Sequence, residues 1–165
     1  VFNLLGPLTH PAEAPYAVIG AWNLDTARLM AETLAGMPIT RMFVVHGETG
    51  WDEPTPAAPF TLFDVRPGAV TQSRREPEDF GLPRCRAEDL RGADAAHNAA
   101  SLAAVLRGEE RGAHRDALVM GAALVLEVTG AADGPEAAAL AAASAIDDGR
   151  GAAVLKRLAD FGRTR

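Results

Sequence analysis

A single cysteine, Cys85, in the whole chain rules out an internal disulfide and fits the reducing cytosol. No apolar run approaches the roughly 20 residues that a membrane-spanning helix needs, and the opening residues lack the basic-then-apolar layout of a signal peptide. Basic residues are not gathered into a patch and the net charge is −6, which argues against bulk binding to a phosphate backbone. The four histidines do not stand at metal-ligand spacing from one another or from Cys85. Ser73, Ser101 and Ser144 lack the strand–turn–helix setting of a nucleophile elbow, so acyl transfer has no support. There is no glycine-rich phosphate loop of the Walker or dinucleotide-binding kind. Trp22 and Trp51 are not interleaved with basic residues as a base-stacking platform would require. Covalent catalysis and nucleic-acid recognition are both disfavoured on these grounds.

What is present is a chain of 165 residues, 48% hydrophobic, long enough to bury a real core. Tyr16–Gly20 and Arg41–Val45 read as buried strands, separated by a helix from about Thr26 to Ala35 that Asn23 or Asp25 can cap. Leu29, Met30, Leu34 and Met37 are expected on one face of that helix. Strand, helix, strand in this order suggests a right-handed parallel crossover. Further on, Phe60–Val65 and Ala69–Gln72 flank Pro67-Gly68 as a hairpin. A polar connector follows over Glu76–Arg91. Four helices then complete the chain, near Ala95–Arg107, His114–Thr129, Pro135–Asp148 and Ala152–Phe161. The fold class is α/β, with a mixed sheet flanked by helices.

Two stretches carry the chemistry. His46-Gly47-Glu48-Thr49-Gly50-Trp51-Asp52-Glu53 follows directly on the carboxyl end of a strand, where open α/β sheets bind ligands. Its glycines allow a sharp turn, and Asp52 and Glu53 are adjacent hard-oxygen donors. Magnesium takes few carboxylates and completes its shell with water and substrate phosphate, which suits such a pair; a solvated loop is the bland alternative. The second stretch is Phe2-Asn3-Leu4-Leu5-Gly6-Pro7-Leu8-Thr9-His10-Pro11. Gly6-Pro7 makes a rigid wall, nearly free of side chains, that could lie against a flat aromatic ligand or simply form a turn. Asn3 could bond the turn or a substrate. His46 reads as a structural histidine supporting its loop. Val1 is not an initiator methionine and opens within an apolar motif, so the chain reads as a fragment with its upstream portion absent.

Taken together, and some forty residues apart, the two stretches resemble the "FNxLGPLxNP" and "HGxxGxDE" segments of the anthranilate phosphoribosyltransferase family. The likeness continues through Glu78–Pro83, Asp94–Ala99, Arg115-Asp116-Ala117 and Ala145–Gly149. It implies the C-terminal portion of the α/β domain of a nucleoside-phosphorylase-like phosphoribosyltransferase, with residues 1–165 as one partial domain. The helical domain, the diphosphate loop and the arginine that meets the anthranilate carboxylate would all lie upstream. It further implies transfer of the phosphoribosyl group from phosphoribosyl pyrophosphate to anthranilate in tryptophan biosynthesis. Asp52 and Glu53 would bind Mg2+, while Gly6, Pro7 and Asn3 would line the acceptor side. A cytoplasmic homodimer without nucleic-acid or membrane partners, inactive as this fragment alone, is the expectation. Departures from the pattern are His10 for Asn, Trp51 and Pro54 for aliphatic residues, and Gly121 where Asn is frequent. They leave room for a related transferase with another aromatic acceptor. A catalytically silent paralogue that binds nucleic acid or protein is the remaining alternative.

Overall fold

Alternation along the strands decides the architecture. In the computed structural model, which describes residues 6, 8, 9 and 11–163, strand β2 (Arg41–Gly47) is buried almost throughout. Its successive side chains point to opposite faces. Met42 and Val44 join Ile19, Phe63 and Val65 in one apolar cluster, whereas Phe43 and Val45 join Phe60 and Leu62 in a second. A strand buried on both faces requires helices on both sides, and they are present. Helix α1 (Leu24–Ala35) seals the first cluster with Ala27, Met30, Ala31 and Leu34. Helices α3 (Ala113–Val128) and α4 (Pro135–Asp147) seal the second with Val119, Met120, Ala123, Leu124, Ala138, Ala142 and Ile146.

The sheet order is β1-β2-β3-β4, with β1 at Tyr16–Gly20, β3 at Phe60–Arg66 and β4 at Ala69–Arg75. β1 and β2 are parallel, as the strand–helix–strand order predicts, and β3 and β4 continue antiparallel. Pro67 and Gly68 occupy the two-residue hairpin turn, Gly68 at φ 72° where a side chain would be strained. Helix α2 (Ala95–Leu106), capped by Asp94 accepting from the His97 amide, and helix α5 (Arg150–Arg163) complete the chain. The polar connector holds two single turns of 3-10 helix, Pro77–Phe80 and Ala87–Leu90.

Some boundaries differ from the sequence expectation. Asn23 is the cap of α1, its side chain accepting from the Thr26 amide at 2.7 Å, so the helix starts at Leu24. Leu29 does not join the buried face of α1; it is 57% exposed, because Ala27 and Ala31 let the helix approach the sheet on the adjoining side. β4 runs on to Arg75 through a polar stretch, since pairing with β3 holds it as far as Phe60.

The end of β4 is fixed by charge. Arg75 donates two hydrogen bonds to the Glu127 carboxylate at 2.6 and 2.7 Å, and Glu127 is only 6% exposed on α3. Arg41 donates to the Glu127 carbonyl at 2.8 Å and to Asp64 at 2.9 and 2.6 Å. Both guanidinium groups lie near the Phe43 ring, 4.7 and 5.8 Å from its centre. The cluster therefore binds α3 to three strands. Removing one partner of a buried pair strands the other charge, so Glu127→Ala is expected to destabilise the fold by about 3 kcal/mol. Lys156→Ala, at an exposed pair with Asp160, is expected to change it by less than about 0.5 kcal/mol. Urea unfolding of the two variants checks the contrast.

Candidate functional site

The carboxyl ends of β1 and β2 lie side by side, at Gly20 and Gly47. From Gly47 the chain turns tightly. The Gly50 amide donates to the Gly47 carbonyl, and the Gly47 amide donates to the Trp51 carbonyl, both at 2.9 Å. Gly50 sits at φ 87°. This folds the loop back over the end of β1, where the Asp52 backbone comes to rest on Gly20. A Cβ on Gly20 would stand 1.7 Å from the Asp52 carbonyl oxygen. A methyl group cannot be accommodated there, so the glycine at the end of β1 determines where Asp52 and Glu53 are held.

Other contacts pin the same loop. The His46 ring accompanies the strand end, its Nδ1 2.9 Å from the Ala21 carbonyl. A carbonyl only accepts, so Nδ1 carries the proton, which is the structural role expected for His46. The Glu48 amide donates to the Pro59 carbonyl, and its side chain receives Arg74 at 2.6 Å. Arg74 also pairs with Glu76, whose carboxyl is held below the usual carboxylate range, first by that hydrogen bond and then by the neighbouring charges. Of the loop's three carboxylates, Glu48 is thus committed to the sheet. Asp52 and Glu53 are exposed and make no ion pair among the described residues.

The donor set fits a hard cation only in part. No group of three or more potential ligands exists among the described residues, so protein atoms do not form a closed cage. Two adjacent exposed carboxylates on a fixed loop are what magnesium accepts when the remaining ligands are water and phosphate. Gly6 is exposed with open space around it, whereas Asn3 and Pro7 of the acceptor-wall prediction, and His10, lie outside the described residues.

Asp52 and Glu53 also line a cleft of about 690 Å3 running between the sheet, α2 and α3. His97 and Asn98 of α2 and His114 of α3 line it as well, and these were not among the sequence candidates. His97 and Asn98 lie in the Asp94–Ala99 stretch of the family likeness, and helical spacing was a further signal: His97, Ser101 and Val105 recur every four residues, as do His114, Leu118 and Ala122. Asn98 is spent on the backbone, accepting from the Ala93 amide at 2.9 Å and so closing the loop before α2. The Cys85 thiol is pushed up by burial, and then by Asp89 and Asp116, which keeps it protonated at neutral pH.

With this geometry in hand, comparison with known proteins is decisive about the family. Residues 1–152 match the model of the glycosyl transferase family, a/b domain. The chain belongs to that family. An anthranilate phosphoribosyltransferase from Syntrophotalea carbinolica is 44% identical over 158 residues, which is 96% of this chain and 45% of that protein. The crystal structure of anthranilate phosphoribosyltransferase from Thermus thermophilus superimposes with a TM-score of 0.86 at 33% identity, covering 98% of this chain and 47% of that one. A variant of the Saccharomyces cerevisiae enzyme with Mg bound gives 0.85 at 25% identity, over 94% and 45%. The resemblance seen in the sequence is borne out, and the chain spans about half the length of the curated relatives it matches.

The Gly20–Asp52 contact generates a direct expectation. Gly20→Ala forces the loop off the strand end and is expected to cost about 1–3 kcal/mol, as overpacking of a tight contact does. Gly50→Ala introduces no clash, only the strain of a positive φ, at about 1 kcal/mol. Thermal unfolding of both variants, with the fluorescence of Trp51 reporting loop position, tests the order.

Proposed function

We propose that a protein of the relatives' length carrying this chain transfers the phosphoribosyl group of phosphoribosyl pyrophosphate to anthranilate in tryptophan biosynthesis, in the cytoplasm and as a homodimer. The observation that carries this reading is the Asp52-Glu53 pair, held by Gly20 at the carboxyl ends of two parallel strands in a chain 44% identical to an anthranilate phosphoribosyltransferase. Bound magnesium would supply positive charge to the departing diphosphate. The protein's part is positional. Asp52 and Glu53 offer two adjacent carboxylates, Gly47 and Gly50 shape the turn that presents them, and Glu48 with Arg74 holds the turn to the sheet. Gly6, Pro7 and Asn3 would form the acceptor wall. Holding amine and sugar in line removes most of the entropic part of the barrier, and no protein nucleophile is needed.

The test follows the fluorescence of anthranilate in the presence of phosphoribosyl pyrophosphate and magnesium, using the full-length polypeptide. Consumption is expected to depend on magnesium. Asp52→Ala combined with Glu53→Ala is expected to lower kcat/KM by roughly 100-fold or more, the scale of losing one preorganised electrostatic group. The 165-residue chain alone is expected to show no turnover. A folded full-length protein that binds phosphoribosyl pyrophosphate but leaves anthranilate untouched would point to another acceptor.

A further inference from the structure

A second cavity, of about 360 Å3, adjoins the cleft and shares Trp51, Leu90 and Gly92 with it. Its other lining residues are Ala87, Glu88 and Arg91, from the second 3-10 turn of the polar connector and the position just after it. No residue of β1 takes part.

The charges in this cavity are arranged unlike those beside it. In the same turn Arg86 closes on Asp89, its guanidinium donating to the carboxylate at 2.7 Å and its amide at 3.0 Å. Arg84 is paired as well, with Glu76 at 2.6 Å and Glu78 at 2.7 Å. Glu88 and Arg91 stand three residues apart, the spacing at which Arg86 and Asp89 pair. Yet neither side chain makes a hydrogen bond or ion pair among the described residues. A carboxylate and a guanidinium, each with its bonding capacity open, thus line one small cavity whose larger lining residues are Trp51 and the half-buried Leu90.

The walls are set in advance. The Trp51 carbonyl accepts from the Gly47 amide at 2.9 Å, and the Arg91 amide donates to the Glu88 carbonyl at 3.2 Å. Asn98 clamps the segment after Arg91, accepting from the Ala93 amide at 2.9 Å and donating to the Ala93 carbonyl at 3.2 Å. A Cβ on Gly92 would stand 2.9 Å from the Asn98 side-chain oxygen, so the backbone there is tightly seated. Walls that need no ordering leave more of the contact energy to the ligand. An anion meets Arg91 in a charge-assisted bond, a cation meets Glu88, and an apolar body meets Trp51 and Leu90. A bare phosphate is repelled by Glu88 and leaves the indole unused, whereas a polyamine is repelled by Arg91. A small zwitterion with an apolar group satisfies all three. Trp51 is one of the departures from the family segment, so this wall is a feature of the present chain.

We propose that this cavity binds a free α-amino acid with an apolar or aromatic side chain. Its carboxylate lies on Arg91, its ammonium on Glu88 and its side chain against Trp51 and Leu90. The inference does not depend on which acceptor the neighbouring site serves.

Equilibrium dialysis tests it, using a polypeptide of the relatives' full length carrying this chain, with radiolabelled L-phenylalanine and L-leucine as probes. Retention of both at millimolar concentration is expected, L-phenylalanine the more strongly. Arg91→Ala and Glu88→Ala, at exposed positions, each raise Kd about tenfold or more. Arg86→Ala removes the paired neighbour and leaves Kd within about twofold. As competitors, 3-phenylpropionate, which lacks the ammonium, and 2-phenylethylamine, which lacks the carboxylate, are each weaker than L-phenylalanine by a similar factor. No retained label overturns the proposal, as does a Kd that neither Arg91→Ala nor Glu88→Ala moves. Competition by 3-phenylpropionate as strong as that by L-phenylalanine reveals a simple anion site and also overturns it. None of these readouts involves anthranilate or magnesium, so failure here is separable from failure of the proposed activity.

Discussion

The site rests on one backbone approach, that of the Asp52 carbonyl onto Gly20. Two parallel strands end together, and a loop leaving one of them must find a place over the other. With a side chain at the end of β1 the loop would be lifted away, and the two carboxylates would have no fixed position relative to the sheet. With glycine there, the peptide at Asp52 lies directly on the strand end. Everything else in the loop reinforces that placement: the Gly47–Trp51 and Gly50–Gly47 hydrogen bonds, the His46 bond to Ala21, and the Glu48–Arg74 pair. Preorganisation of this kind matters because a metal or phosphate site about 1 Å out of place loses much of its value.

That loop is only as firm as the sheet beneath it, and the sheet is held by two different means. Its α1 face is mainly close packing, with Arg28 reaching Gln72 and the Phe63 ring at the margin. On the α3 face, packing is supplemented by Arg41, Asp64, Arg75 and Glu127, a charged group gathered around the Phe43 ring. Ionic groups this far from water are expensive to desolvate, and their net contribution to stability is small compared with an apolar isostere. What they add is direction. Arg75, bidentate to the Glu127 carboxylate, and Arg41, donating to the Glu127 carbonyl, fix how α3 lies over the strands, and α3 also lines the cleft beside Asp52.

Much of this was legible in the residues themselves. The parallel β1–β2 crossover, the Pro67-Gly68 hairpin and the four later helices follow from period, caps and breakers that act over short range. The acidic pair and its strand-end position could be read too. Leu29 was misplaced because helical spacing alone does not say which edge of a broad apolar stripe meets the sheet; the small Ala27 and Ala31 decided it. Gly20 read as no more than the end of a strand. Its partner, the Asp52 backbone, is far along the chain, and no local pattern announces a contact made by a carbonyl. For the same reason the Arg75–Glu127 pair was invisible.

The distribution of charge around the site limits what can stand against it. Asp52 and Glu53 attract a cation and repel an anion, so a polyphosphate could lie against them only with a cation between. The cleft beside them adds no Lys or Arg among the described residues; its polar side chains, His97, Asn98, Ser101 and His114 among them, stand beside valines and leucines.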